Sequence, residues 1–449
     1  MWEPPGFFSA YFVFSFPSGK IIDYFGYKKA MVAGLLTMGI GAALFIPAAS
    51  VPSFPLFLAA LITLAAGMTI LQTSANPYVA VLGPPQSASF RLNLTQAFNS
   101  LGTTVAPTFG SLLILGTVAA PVTVEVLRAM APDQRHAYQI TQASSVKAPY
   151  MGLAIALFVL AVIIALYRLP KIASAEAHGE THGSIWKYRH LILGALAIFV
   201  YVGGEVSIGS FLINYFNQPY IAGLPLDVAA KFVGFYWGGA MVGRFLGSAL
   251  LSGIKAVHSA VAFIAACAVV GLSYLVAGQA TVASGSKLDV VVSNLVETLV
   301  NGRPLFIVVG VVLLLLTVIA FMNKGKVAIK TPALLGLCAI VAAILVCTSM
   351  LTTGHIAMWT IIFVGLFNSI MFPSIFTLGI AGLGPLTGDG SALLVAAIVG
   401  GAIIPELQGL LADRIGIHHA FILPVLCYAY IMFYGFIGSK PKEVAVVAA

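Results

Sequence analysis

The stretch Gln72-Thr-Ser-Ala-Asn76-Pro77-Tyr-Val-Ala-Val-Leu-Gly83 has a counterpart far downstream, Asn368-Ser-Ile-Met-Phe-Pro373-Ser-Ile-Phe-Thr-Leu-Gly379. In each, a carboxamide stands five residues before a proline, and a glycine follows six residues after it. The next apolar run in each half again carries a proline followed by a glycine: Pro107 with Gly110, and Pro405 with Gly409. One match would be chance. Two in register suggest a duplicated bundle whose halves rock about a site between them.

Composition says in what medium such a bundle lives. Of the 449 residues 60% are hydrophobic and only 8% are charged, where a soluble domain carries about 25% charged residues. A soluble chain this apolar could not cover itself with polar surface, whereas a lipid-embedded one need not. The 45 glycines and 23 prolines agree, since both are commoner in membrane helices than in soluble ones. The net charge of +8 sits in short basic runs between apolar segments, the pattern of cytoplasmic loops and not of a nucleic-acid surface. All four cysteines (Cys267, Cys338, Cys347, Cys427) fall inside apolar segments and read as packed thiols. No cleavable signal peptide is evident at the start.

A helix needs about 20 apolar residues to cross a hydrocarbon core of about 30 Å. That length marks spans at 6–23, 29–48, 54–83, 91–117, 149–168, 189–216 and 230–253. Further spans lie at 256–278, 304–322, 331–351, 355–384, 390–411 and 418–439. The fold expected is therefore an all-α integral membrane protein of thirteen spans. With the Lys28–Lys29 loop inside, strict alternation puts fifteen of the basic residues on the cytoplasmic side and seven outside. The N-terminus is then external and the C-terminus internal. A hydrophilic linker at 169–188 separates an N-terminal bundle (1–168) from a C-terminal one (189–449). Its His178 and His182 lack a third ligand nearby, and Gly179 and Gly183 break any helix, so the segment reads as solvated linker.

Ionisable and amide side chains are costly in a bilayer and persist where they face a cavity or a partner. Carboxamides gather on two neighbouring spans, Gln72 and Asn76 on one and Asn93, Gln96 and Asn99 on the next. A neutral polyhydroxylated solute wants such a lining, because each hydroxyl donates and accepts, as Asn and Gln do. The plainer reading is interhelical glue, about 0.6 kcal/mol per residue. Glu205 and Glu406 are the two acids within spans, and a buried carboxylate can take a proton or ligate Na⁺. In an ideal helix Glu205 points nearly opposite Ser207, the start of a polar stripe through Ser210, Asn214 and Asn217. Either Gly203-Gly204 unwinds the helix or Glu205 packs on another span. Trp237 and Phe372 could give a sugar an apolar face. No enzyme signature, metal-ligand spacing or cofactor motif is present.

Two groups of residues carry a family resemblance. Gly19-Lys-Ile-Ile-Asp23-Tyr-Phe-Gly26-Tyr-Lys28-Lys29 resembles the loop motif of the major facilitator superfamily. The runs around Asn76-Pro77, Phe90 to Pro107, Asn368 to Pro373, Pro405 and Ile417-His-His-Ala-Phe-Ile-Leu-Pro424 resemble its fucose permease and glucose/galactose transporter group. The resemblance covers nearly the whole chain outside about 256–330, where an inserted pair of spans interrupts a twelve-helix fold. It implies cation-coupled hexose uptake, glucose or galactose first, with H⁺ or Na⁺ co-transported and no cofactor. Gln72, Asn76, Asn93, Gln96, Asn99, Asn214, Trp237, Asn368 and Phe372 would bind the sugar. Glu205, then Glu406, would couple the cation, because Gln72 stands where the fucose permease has its coupling glutamate. Gly19, Asp23, Gly26 and Lys29, with Arg244, would form a conformational latch. The expected partners are the hexose, the cation and membrane lipid, in a monomer of a bacterial inner membrane with no nucleic acid. The family's first helix has no counterpart before Met1-Trp-Glu-Pro-Pro5, which implies a wrongly assigned start or a truncated gene. Rival readings are a transporter of fucose, an amino sugar or a drug, and a non-transporting sensor or inactive fragment.

Overall fold

A computed structural model describes residues 5–51, 53–110, 124–170, 184–252 and 329–441. Among them all regular structure is helical. Eight stretches there are long and apolar enough to cross a membrane.

Helix α1 runs from Pro5 to Ser50 but is broken at Gly26, whose φ of 76° and ψ of 166° leave the helical region. An unbroken helix of 46 residues would be about 70 Å long, over twice the hydrocarbon thickness. The chain therefore turns, and a residue without Cβ takes that φ at little cost. The two limbs correspond to the spans expected at 6–23 and 29–48. The second limb packs on α2 (Phe54–Val81) through glycine. A Cβ on Gly34 would lie 2.8 Å from the Leu71 amide nitrogen, and one on Gly41 2.5 Å from that of Leu64. Small residues let membrane helices approach to backbone contact, where dispersion replaces the hydrophobic drive that lipid removes.

Helix α3 (Ala88–Gly110) follows. The connection after it holds two helices that the sequence reading left as loop, α4 (Val124–Ala129) and α5 (Pro132–Ser144). Apolar length alone misses α5, because it is a polar helix with Pro132 in its first turn and Asp133 beside the amide-rich end. Then come α6 (Lys147–Leu166), α7 (Arg189–Asn217) and α8 (Leu226–Ser252). The spans expected at 256–278 and 304–322, with Cys267, His178 and His182, lie outside the described residues.

Helix α9 (Thr331–Leu351) matches its expected span. The span read as 355–384 is two helices, α10 (Gly354–Asn368) and α11 (Met371–Gly379). The break falls immediately after Asn368. Likewise 390–411 divides into α12 (Thr387–Ala396) and α13 (Gly400–Ile415) around a 3₁₀ turn. The last span comprises α14 (Ile417–Ala420), α15 (Ile422–Phe433) and a closing π turn at Tyr434–Gly438.

The two halves touch along two seams. The first limb of α1 lies on α12 and α13. A Cβ on Gly19 would meet Ala392 Cβ at 3.1 Å, and one on Gly401 would meet Phe8 at 2.7 Å. Helix α3 crosses α8, where Phe98 and Phe245 pack edge to face at 5.8 Å. Neither α3 nor α8 is among the eight most apolar stretches. They carry the polar residues of the site.

Candidate functional site

The N-terminal half contributes four amides, of which Gln96 and Asn76 are bonded to each other. Gln72 donates from Nε2 to the Tyr11 hydroxyl at 3.1 Å, and that hydroxyl lies 2.9 Å from Met68 Sδ. Gln96 donates from Nε2 to Asn76 Oδ1 at 3.2 Å, tying α3 to α2. Asn93 donates to the Ser89 carbonyl at 2.8 Å. Two polar atoms in this group are buried without a hydrogen-bond partner among the described residues, Asn76 Nδ2 and Asn93 Oδ1. One donor and one acceptor are thus left over, a match for a hydroxyl.

In the C-terminal half a buried polar cluster surrounds Glu205. Helix α7 runs unbroken past Gly203-Gly204, so of the two expected arrangements the second holds, and Glu205 packs on another span. Its Oε1 lies 3.8 Å from Arg244 Nη2 on α8 and accepts no hydrogen bond. The Tyr236 hydroxyl donates to the Glu205 carbonyl at 3.1 Å and accepts from Asn368 Nδ2 at 2.8 Å. Tyr201 and Tyr428, buried with Tyr236, complete the cluster. The Tyr201 hydroxyl faces the Glu205 carboxylate and that of Tyr428 faces Asn368. Of the three tyrosines only Tyr236, beside Trp237, stood out in the sequence, as an aromatic face for a sugar. The signal for the other two was their scarcity of reasons to be deep in a span, since a buried tyrosine needs a partner for its hydroxyl.

Arg244 joins the halves. It donates from Nη1 to Ser100 Oγ on α3 and from Nε to the Ser369 carbonyl at 3.2 Å, in the break between α10 and α11. Ser100 in turn donates to the Gln96 carbonyl at 2.9 Å. A continuous path therefore leads from Asn76 through Gln96, Ser100, Arg244, Glu205 and Tyr236 to Asn368. Arg244 stands beside Glu205 among the central polar residues.

The latch motif itself is in contact across the halves. Asp23 Oδ1 would lie 2.9 Å from a Cβ on Gly388 in the first turn of α12, where unpaired N–H groups favour a carboxylate. Lys29 is exposed. Its neighbour Lys28 stays within the N-terminal half, donating to the Ala165 carbonyl at the end of α6 at 2.7 Å.

Other expected residues fall outside the cluster. Asn99 is exposed with Thr95 and Thr103; it stands three residues after Gln96, on the same side of α3, without a hydrogen bond to the Gln96–Asn76 pair among the described residues. Asn214 is exposed toward the end of α7, its carbonyl accepting from Gln218. Glu406 is exposed on α13 between Ile403 and Leu410, which are 44% and 62% exposed. It shares their outward apolar face, so it is removed from the Glu205 cluster. Trp237 packs at the cluster's edge, its ring 5.1 Å from that of Tyr236 and 2.8 Å from a Cβ on Gly209. Phe372 is half-buried beyond the break, 6.0 Å from Phe376. The described residues hold no group of three or more His, Cys, Asp or Glu arranged for a metal.

The model of the Major Facilitator Superfamily matches residues 5–293. A glucose/galactose transporter of Brucella abortus is 44% identical over 436 residues, covering 97% of this chain and 84% of the relative. An L-fucose-proton symporter of Escherichia coli is 30% identical over 442 residues, covering 97% of this chain and 83% of the relative. The crystal structure of the superfamily transporter FucP in the outward conformation superposes with a TM-score of 0.75. It is 29% identical and covers 96% of this chain and 87% of that one. The resemblance first carried by the Asp23 and Asn76-Pro77 motifs thus extends through sequence and fold, and the chain belongs to the Major Facilitator Superfamily.

Proposed function

We propose that this chain is a transporter that takes up a hexose, glucose or galactose, together with a proton, by alternating access. The observation that carries the reading is the path from Asn76 to Asn368, in which buried amides from both halves are tied through Arg244 to one embedded carboxylate. Asn76 Nδ2 and Asn93 Oδ1, without a partner among the described residues, offer hydroxyl contacts from the N-terminal half. The likeness to the glucose/galactose transporter supports the sugar class, and the likeness to the fucose-proton symporter supports the coupling ion.

The geometry favours a proton over Na⁺. Arg244 already places a positive charge 3.8 Å from Glu205, so a second cation at the carboxylate would be repelled. A proton neutralises Glu205 and leaves Arg244 to its Ser100 and Ser369 contacts. The rocking units are 1–168 and 189–449, with the C-terminus on the cytoplasmic side of a bacterial inner membrane. The test is uptake and exchange of labelled glucose in proteoliposomes, with fucose as competitor. Glu205→Gln abolishes accumulation driven by a pH gradient and leaves glucose exchange running. Unchanged accumulation removes Glu205 from coupling, and absence of hexose flux in the unaltered protein overturns the transport reading.

A further inference from the structure

Helices α7 and α13 run side by side in a regular register. A Cβ on Gly400 would meet the Phe199 carbonyl, and one on Gly203 would meet Ile404. The pairs 199 with 400 and 203 with 404 advance together by four residues, so the next pair is Ser207 with Gln408. The contact one turn further, Phe211 near Gly409 at 3.8 Å, keeps the two helices together beyond that level. Ser207 and Gln408 are both 0% exposed. Yet Ser207 Oγ, Gln408 Oε1 and Gln408 Nε2 are all without a hydrogen-bond partner among the described residues. An amide with both ends buried and unpaired is rare, because each end forfeits its hydrogen bonds to water.

We infer that the Ser207–Gln408 level of the α7–α13 seam is a binding subsite for one neutral hydroxyl group. A hydroxyl accepts from Gln408 Nε2 and donates to Gln408 Oε1, while the serine hydroxyl serves in either role. A charged group does not suit this place, since the acids nearest in sequence point away from it, Glu205 toward Arg244 and Glu406 outward. Glycines at 203 and 400 bring the helix backbones close one turn before the subsite. The hydroxyl comes either from the transported sugar or from a water molecule. The first source rests on the transport reading proposed above, and the second does not.

Gln408→Met keeps the side chain's length and removes both polar atoms, and Ser207→Ala is small enough to leave packing intact. Each is measured in proteoliposomes for glucose exchange with a panel of monodeoxyglucoses, and in detergent for thermal unfolding. If the sugar supplies the hydroxyl, KM for glucose rises about tenfold, the equivalent of one hydrogen bond. One deoxyglucose then binds the variant and the unaltered protein equally. If water supplies it, KM stays within twofold for every sugar while both variants lose thermal stability. Should Gln408→Met unfold more readily than can be assayed, Ser207→Ala alone carries the comparison. Unchanged KM together with unchanged or raised stability in both variants overturns the subsite. Failure of the unaltered protein to exchange any hexose overturns the transport reading instead, and leaves the thermal comparison to decide the subsite.

Discussion

Replacing Arg244 by glutamine tests how firmly Glu205 depends on its partner. The two side chains are 15% and 11% exposed and 3.8 Å apart. At that separation and an effective dielectric of about 20, Coulomb attraction is about 4 kcal/mol. Desolvation of both ions offsets part of it, but removing only the cation strands a buried carboxylate, which costs about 3–5 kcal/mol. Glu205→Gln alone strands the guanidinium less severely, because Arg244 keeps its bonds to Ser100 and to the Ser369 carbonyl. In the double variant no charge remains, and the loss is expected near 1 kcal/mol, the worth of an ordinary hydrogen bond. The assay is a double-mutant cycle by reversible unfolding in mixed micelles, with each variant's fold checked by helical content. A coupling free energy of about 2 kcal/mol or more is expected. Single effects that add to the double within about 0.5 kcal/mol would mean that the two groups do not interact. The bridge would then have no part in coupling.

Gln96→Leu removes the bond to Asn76 and one end of the amide group, and raises KM for glucose about tenfold in exchange assays. Tyr236→Phe leaves Asn368 and the Glu205 carbonyl without their shared partner and lowers stability by about 1–3 kcal/mol in the same micelle titration. Gly243→Ala drives a methyl into the Leu366 carbonyl and Ser369 Oγ, separates α8 from α10, and costs about 1–3 kcal/mol by thermal unfolding. Glu406→Gln, on the outward face of α13, leaves accumulation and KM unchanged.

The fold was largely legible because bilayer thickness acts on sequence through apolar length alone. Span 331–351 coincides with α9, and the paired Gln72 and Asn368 motifs lie in α2 and at the end of α10. What length cannot show is where a span breaks. The interruptions after Asn368 and at 397–399 fall in runs with no proline or glycine at the break itself. The site was legible as composition and less so as direction. Glu406 and Gln408 stand two residues apart, which on a helix is about 200° of rotation, so one faces outward and the other lies in the seam. A stripe of Gly400, Ile404 and Gln408 at four-residue spacing was the signal that separates them. The setting of Arg244 was not legible, because its partners, Glu205, Ser100 and Ser369, are distant in the chain.

The contacts between the halves differ in kind from those within them. Within the C-terminal half, Gly243 and Gly365 put backbone against backbone, with no side chain to yield. Between the halves, aromatic contacts (Phe98 on Phe245, Phe8 on Gly401) alternate with small or polar ones: Gly19 on Ala392, Asp23 at the start of α12, and Ser89 sharing a hydroxyl bond of 2.7 Å with Thr377. An interaction such as the last contributes about 1 kcal/mol net and is replaced by water when it opens. A set of such contacts holds one state and releases it at modest cost, while the glycine-packed bundles move as units. Arg244 is the exception, a charged group that reaches across to Ser100 while facing Glu205. A change of charge at Glu205 therefore acts at the place where the halves meet. In the proposed transport cycle, a proton taken up by Glu205 would act through Arg244 and Ser100 on Gln96.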